Sequence, residues 1–186
     1  YGNRSFELVY DFTLEAVNYL FSQGCPLVIL ACNTASAKAL RTIQQKDLEK
    51  IDPTKRVLGV IRPSAEEIGF LTASKHVGIL GTIGTIQSDS YKIELQKYAP
   101  EIIVSQHACP MWVPLIENDV HQTSAGKLFI EEDVRKLMLM DPKIDAIILA
   151  CTHYPILQEQ IQKIVGEKVK VVSQGPIVAE KLSLYL

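Results

Sequence analysis

The sequence predicts an α/β fold of two pseudo-symmetric lobes, each a mostly parallel sheet covered by helices. Short aliphatic runs alternate with amphipathic segments along the whole chain, which is typical of parallel sheets. Two of these runs, "VILAC" and "IILAC", end alike, on Ala-Cys followed by polar residues. The 186 residues are enough for one large core or two small ones. We therefore expect a functional site in the cleft between the lobes, because ligands of such sheets bind beyond the carboxyl ends of the strands.

Each predicted element rests on a local pattern. Residues 5–22 carry apolar side chains at helical spacing, and Gly24 and Pro26 end that helix. Further helices are expected over 35–45, 64–73, 88–98, 130–140, 155–165 and 177–185. Short apolar runs, typical of strands covered on both faces, predict strands over 27–31, 57–61, 76–80, 101–106, 146–150 and 169–173. Pro63 is expected to stop the second strand, and Pro155 suits the first turn of its helix.

The remaining stretches set the expected loops and domain boundaries. We expect a turn at 81–85, "GTIGT", and irregular structure over 107–123. The chain has no linker rich in Gly, Ser or Pro between the lobes, so we place the crossing near Ile61-Arg62-Pro63. The expected division is a first lobe over 1–61, a second lobe over 62–165, and a return to the first lobe over 166–186.

Composition excludes several classes of protein. The chain is 47% hydrophobic and 22% charged with a net charge of −2, the usual balance of a globular protein. It has no basic stripe that would bind nucleic acid and no apolar run long enough to cross a membrane. No signal peptide opens the chain, so we expect a cytoplasmic protein with reduced thiols. Its four cysteines form no CxxC pair, so we expect no metal site.

Cys32 and Cys151 are the candidate reactive residues. Each follows a predicted strand and precedes a predicted helix, a setting that favours a thiolate. For a single cysteine, packing at a strand end is an equally good explanation, since cysteine is among the most buried residue types. The matched surroundings of the two favour a functional pair. Cys25 and Cys109 lack this context, and we interpret them as packing residues.

Three kinds of chemistry use such thiols. A disulfide conflicts with a reducing compartment. A nucleophilic hydrolase would use one cysteine with His153, but it leaves the second cysteine without a role. Two-base proton transfer uses both, because one thiolate removes a proton from one face of a carbon and the other thiol protonates the opposite face. That reaction inverts a stereocentre.

Four segments carry a resemblance to a known family. They read "VILACNTASA" (28–37), "GTIGTIQSDSY" (81–91), "CPMWVPLIE" (109–117) and "AIILACTHYP" (146–155). In this order they resemble the signature segments of glutamate racemase, in the aspartate/glutamate racemase superfamily, and the match runs over essentially the whole chain. The Asp-Ser-Gly segment near the start of that family and its C-terminal tail have no counterpart here, so we expect the first lobe to be incomplete. "VVSQG" (171–175) also departs from the usual Val-Asp-Ser/Pro-Gly.

The resemblance implies a role for each matching position. Cys32 and Cys151 match the catalytic acid/base pair. The residues that match substrate-binding positions are Tyr1, Gly2, Asn33, Thr34, Thr152 and His153. Thr82 and Thr85 match hydroxyls near a substrate carboxylate, and Glu117 matches an acidic group that, with His153, assists the thiols. Simpler roles remain open: helix capping for Asn33, Thr34, Thr82 and Thr85, a solvated charge for Glu117, and a structural histidine for His153.

The resemblance implies racemisation of L-glutamate to D-glutamate without a cofactor, for peptidoglycan synthesis. A pyridoxal-dependent reaction is not expected, because no lysine lies at a strand end suited to a Schiff base. Racemisation of aspartate is an alternative, since one methylene is worth only about 1–3 kcal/mol of discrimination. A non-catalytic protein that binds acidic amino acids is an alternative from another class. The expected partners are L- and D-glutamate, and a homodimer is left open.

Overall fold

The computed structural model describes residues 1–186 and contains two parallel sheets. The smaller sheet pairs β1 (Leu27–Leu30) with β2 (Arg56–Gly59). The larger has the strand order β4-β3-β5-β6, formed by β3 (His76–Gly81), β4 (Ile103–Ala108), β5 (Ala146–Ala150) and β6 (Lys170–Ser173). Every pairing is parallel, and helices surround both sheets. The predicted α/β fold with helix-covered parallel sheets is therefore confirmed.

Ten α-helices connect and cover the strands. They are α1 (Phe6–Ser22), α2 (Asn33–Ala35), α3 (Leu48–Ile51), α4 (Ile61–Leu71), α5 (Ile83–Gln87), α6 (Ser90–Tyr98), α7 (Trp112–Glu117), α8 (Ser124–Met140), α9 (Gln158–Val165) and α10 (Gln174–Tyr185). Two π-helical segments, Ser36–Leu40 and Ile43–Asp47, continue α2 towards α3, and a 3₁₀ turn, Tyr154–Leu157, precedes α9. None of these helices combines the length and the apolar character needed to cross a bilayer.

The larger sheet is buried on both faces because its strands alternate their side chains. On β5, Ile147 and Leu149 face one core together with residues of α8 and α9. Ala146 and Ile148 face the opposite core, with residues of α4 and α6. A third, smaller cluster packs α1 and the π-helical segments against β1 and β2. This double burial explains why the sequence shows continuous apolar runs instead of alternation.

Several boundaries differ from the sequence predictions. The second strand ends at Gly59, and Pro63 is the third residue of α4 instead of the residue that stops the strand. Proline is tolerated there because the first turn of a helix needs no N–H partner within the helix. The predicted turn at 81–85 is wrong, because the Thr82 hydroxyl accepts from the Thr85 N–H and caps α5. The segment 107–123, expected to be irregular, contains α7.

The end of the chain begins with β6, which pairs with β5 in the larger sheet. The short crossover through α9 explains this pairing, since consecutive parallel strands joined by one helix usually lie side by side. The expected return of residues 166–186 to the first lobe stays a prediction. Gln174, the first residue of α10, is hydrogen-bonded to Asn33 of the first lobe. The boundary expected after residue 61 stays a prediction.

Candidate active site

Cys32 and Cys151 occupy equivalent positions at the ends of strands. Cys32 follows β1 and is the N-cap residue of α2, and it is half-buried. The Ser36 hydroxyl fixes this turn by donating to the carbonyl of Leu30 at 2.8 Å. Cys151 follows β5 directly and is 8% exposed. Both thiols line the same cavity of about 380 Å³, a volume suited to a small ligand.

The cavity collects ten of the eleven predicted site residues. They are Tyr1, Gly2, Cys32, Asn33, Thr34, Thr82, Glu117, Cys151, Thr152 and His153. Thr85 does not line the cavity, but it is buried directly behind two residues that do. A larger depression of about 670 Å³, bordered by α4, α6 and α10, is lined by no cysteine or histidine. The smaller cavity is therefore the one that combines thiols with polar donors.

A chain of three side chains leads from the Cys151 thiol to the cavity rim. The sulfur lies 3.8 Å from Nδ1 of His153, and Nε2 of His153 lies 3.1 Å from a carboxylate oxygen of Glu117. A carboxylate only accepts, so Nε2 carries the hydrogen when the imidazole is neutral, and the Nδ1 lone pair then faces the thiol. This arrangement can take a proton from Cys151 and return it.

Burial decides the charge of Cys151. It raises the pKa of the thiol to about 11, the backbone N–H of His153 opposes this rise, and a negative charge on Cys32 adds to it. Cys151 is therefore a thiol at neutral pH and can donate a proton as it stands. A negative charge on Cys32 therefore favours the protonated form of Cys151, which lines the same cavity.

Three hydroxyls form a cluster on one wall of the cavity. Oγ1 of Thr34 lies 2.8 Å from Oγ1 of Thr82 and 3.3 Å from Oγ1 of Thr85, and the last two are 3.1 Å apart. Each hydroxyl carries one hydrogen that can rotate. Those of Thr34 and Thr82, which line the cavity, can turn towards a ligand carboxylate. The cluster thus offers neutral donors to an anion.

The first residues of the chain close the cavity beside these threonines. The Gly2 carbonyl accepts from the N–H of Gly84 at 2.9 Å, which ties the segment to α5. A Cβ atom at Gly2 would lie 2.9 Å from Cβ of Thr82. Only glycine fits this close approach without displacing a residue of the hydroxyl cluster.

Sequence reasoning missed some residues of the site. Cys109, interpreted as packing, is buried but also lines the cavity beside Pro110 and Val113. Gln174 and Tyr91 bind Asn33 from behind the cavity wall. The "CPMWVPLIE" segment was a signal for Cys109, whereas nothing local marks Gln174, because its partners lie far away in the sequence.

One group of side chains has the donor atoms of a metal site. The ligand atoms of His107, Cys109 and Asp133 all lie within 4.8 Å of one another. In this structure Nε2 of His107 and a carboxylate oxygen of Asp133 are 2.8 Å apart and hydrogen-bonded to each other. Burial also raises the pKa of Cys109 well above its usual value, which keeps its thiol protonated. The cluster is thus satisfied internally, and the expectation of a site without metal stays a prediction.

Two helix-covered parallel sheets bring both strand-end thiols to one cavity, and relatives in sequence and structure assign this arrangement to the class of racemases, which are isomerases. A family model described as Asp/Glu/Hydantoin racemase matches residues 7–182. The whole chain is 38% identical to a glutamate racemase of Streptococcus suis and covers 67% of that protein. The chain therefore belongs to the Asp/Glu/Hydantoin racemase family.

Solved structures agree with this assignment. The chain is similar over its whole length to glutamate racemase isoform RacE1 from Bacillus anthracis, with a TM-score of 0.91, 35% identity and 67% of that chain covered. It is also similar over its whole length to glutamate racemase from Francisella tularensis in complex with D-glutamate, with a TM-score of 0.87, 30% identity and 66% of that chain covered. The predicted resemblance to glutamate racemase is thereby confirmed.

Proposed function

We propose that this protein interconverts L- and D-glutamate by two-base proton transfer between Cys32 and Cys151, and that it supplies D-glutamate for peptidoglycan synthesis. The observation that carries the proposal is the presence of both strand-end thiols in one cavity whose other walls offer hydroxyl and amide donors. The D-glutamate complex of a related racemase supports the choice of ligand.

The chemistry follows from the two thiols. A thiolate on one side removes the Cα proton, the resulting carbanion is planar at Cα, and the thiol on the other side returns a proton to the opposite face. The product has inverted configuration, the first cysteine now carries the proton taken from Cα, and the second cysteine is left as a thiolate. No electrons are gained or lost, so the reaction needs no redox partner.

His153 and Glu117 give Cys151 access to both protonation states. At neutral pH its raised pKa makes it the acid. To act as the base it must lose its proton, and Nδ1 of His153 is the acceptor 3.8 Å away. Glu117 then stabilises the imidazolium through Nε2. We assign Cys151 to deprotonate L-glutamate and Cys32 to deprotonate D-glutamate, on the basis of the family resemblance.

Binding of glutamate would depend on neutral donors. Thr34 and Thr82 present hydroxyls, and α2 and α5 begin beside them, so their first N–H groups are also near. A ligand with two carboxylates suits such a wall. These residues, with Asn33, Thr152, Tyr1 and Gly2, are the proposed substrate contacts.

Circular dichroism with the full chain tests the proposal. L- or D-glutamate should each decay to an equal mixture of the two without added pyridoxal phosphate. If the protein racemised aspartate faster than glutamate, aspartate would be the substrate instead of glutamate. Calorimetric binding of glutamate without any change in optical activity would support the non-catalytic alternative. Restored growth of a bacterium that requires D-glutamate would test the role in peptidoglycan synthesis.

A further inference from the structure

Three buried side chains form a closed ring of hydrogen bonds behind Cys32. The Nδ2 amine of Asn33 donates to Oε1 of Gln174 at 2.7 Å. The Tyr91 hydroxyl donates to Oδ1 of Asn33 at 2.7 Å and accepts from Nε2 of Gln174. All three residues are buried, with exposures of 2%, 0% and 7% for Asn33, Tyr91 and Gln174. The ring joins α2, α6 and α10, which are distant in the sequence.

A backbone carbonyl sets the direction of this ring. Nε2 of Gln174 also lies 2.8 Å from Oγ of Ser64 and 3.2 Å from the carbonyl of Val60, and its two hydrogens are shared among these two oxygens and the Tyr91 hydroxyl. The Ser64 hydroxyl uses its own hydrogen on the same carbonyl, at 2.9 Å. A carbonyl can only accept, so the nitrogen end of Gln174 must face Val60. Its oxygen end must then face Asn33.

The orientation of Asn33 follows from that of Gln174. If the Asn33 amide were flipped, its oxygen would face Oε1 of Gln174, and two acceptors would meet without a hydrogen between them. In a buried position such a mismatch is costly. Burial also raises the pKa of Tyr91, so its hydroxyl keeps the hydrogen that it donates to Oδ1. The ring therefore holds one amide orientation.

Asn33 lines the cavity and follows Cys32 directly in the sequence. Its Nδ2 has two hydrogens, and Gln174 takes one of them. We propose that Gln174 is a positioning residue, which fixes the Asn33 amide so that its remaining N–H is a permanent donor to the anionic amino-acid substrate. This inference rests on the proposed function and gives a role to the "VVSQG" segment.

Gln174→Met tests the inference, because methionine has a similar length but no amide. We expect KM to rise about tenfold for both enantiomers, as one oriented hydrogen bond to a charged ligand is lost. The value of kcat should stay within about twofold. Because the equilibrium constant of racemisation is one, kcat/KM must fall by the same factor for L- and D-glutamate. Gln162→Met is the matched control, because the Gln162 side chain is likewise held by hydrogen bonds to distinct partners, namely Gly166, Val169 and Val171.

The Asn33→Ala background separates positioning from a structural role. Gln174 acts on substrate only through Asn33, so Gln174→Met should raise KM no further once Asn33 is alanine. An equal tenfold rise in that background, or an unchanged KM in the single variant, would overturn the inference. Gln162→Met should lower the unfolding temperature and leave KM unchanged.

A readout independent of catalysis keeps the two proposals apart. If the unaltered protein does not racemise glutamate, the proposed function fails, whereas the ring can still be tested by NMR. The Asn33 side-chain amide hydrogens, assigned by their loss in Asn33→Ala, should exchange slowly in the unaltered protein and faster in Gln174→Met. Equal exchange rates would refute the fixed amide even if the protein is an active racemase.

Discussion

At the residue scale, the two thiols are similar in sequence context but differ in environment. Cys151 is buried beside an imidazole, whereas Cys32 is half-buried at the start of a helical segment. The repeated Ala-Cys pattern was enough to predict both as a pair at strand ends. It could not predict the difference, because burial depends on which other segments pack over each sulfur.

The two thiols should act on opposite enantiomers. Serine ionises far less readily than cysteine, so Cys32→Ser and Cys151→Ser should each lower racemisation about 10²–10⁴-fold. Elimination from a 3-substituted glutamate analogue needs only one base. Each variant should therefore still process the enantiomer whose Cα–H faces its remaining thiol, and the two variants should prefer opposite enantiomers.

Cys25→Ser is the control for this pair. Cys25 packs against the smaller cluster that joins α1 to β1 and β2, and it does not line the cavity, so its variant should keep full activity. The two-base mechanism would be wrong if both site variants kept the same enantiomer, or if either racemised at the unaltered rate.

At the element scale, sequence predicted every strand and most helices, and it failed where a short helix begins on a loop-like motif. "GTIGT" contains two glycines, a composition typical of a turn, yet the Thr82 hydroxyl caps the first residues of α5 there. Gln174 was missed for the opposite reason. Its partners Asn33 and Tyr91 are 141 and 83 residues away, and no local pattern encodes such a contact.

Two threonine caps allow the structural and functional roles of a cap to be compared. The Thr123 hydroxyl accepts from the N–H of Gly126 and begins α8 outside the cavity lining, while Thr82 begins α5 in the cavity wall. Thr123→Ala should cost about 1 kcal/mol of unfolding free energy with no change in KM. Thr82→Ala should cost a similar amount and also raise KM. Denaturant unfolding and initial rates measure both, and an unchanged KM in Thr82→Ala would leave this threonine as a cap alone.

At the scale of the whole molecule, the strand ends of the two sheets bring both thiols to one cavity, and the proposed reaction assigns each proton transfer at Cα to one of these thiols. Activity should therefore survive exhaustive chelation. The one group with metal-ligand geometry is the cluster of His107, Cys109 and Asp133. Asp133→Asn removes a donor from it and should leave activity within about twofold, as this carboxylate does not line the cavity.

Asp141→Asn is the matched control for that variant. It breaks a comparable pair, since Asp141 lies 2.6 Å from Nδ1 of His76 with no cysteine in the group. A mechanism based on two thiols would be contradicted if chelation abolished activity and zinc restored it. The same conclusion would follow if Asp133→Asn abolished activity while Asp141→Asn did not.

The buried thiols also make the stability of the folded molecule depend on pH. The pKa of Cys151 is about 11 in the folded state, whereas an unfolded cysteine ionises at about 8.5. Below about pH 8.5 both states hold the proton, so the contribution of Cys151 is fully present and constant. As pH rises from there towards 11, only the unfolded state loses its proton, and the free energy of unfolding must fall.

Replacing the thiol should remove that part of the fall. The folded and unfolded pKa values of Cys151 differ by two units or somewhat more, which corresponds to about 3 kcal/mol. Between pH 8.5 and 11, the free energy of unfolding of Cys151→Ala should therefore fall by about 3 kcal/mol less than that of the unaltered protein. Urea unfolding at several pH values measures the difference, and subtraction cancels the lysines and tyrosines that titrate in both proteins. Cys25→Ala is the control for a cysteine outside the cavity, because its side chain is only partly buried. A Cys151→Ala curve that stayed parallel to that of the unaltered protein would show that this thiol ionises at its ordinary pKa in the folded protein, and Cys151 would then not need His153 to become a base.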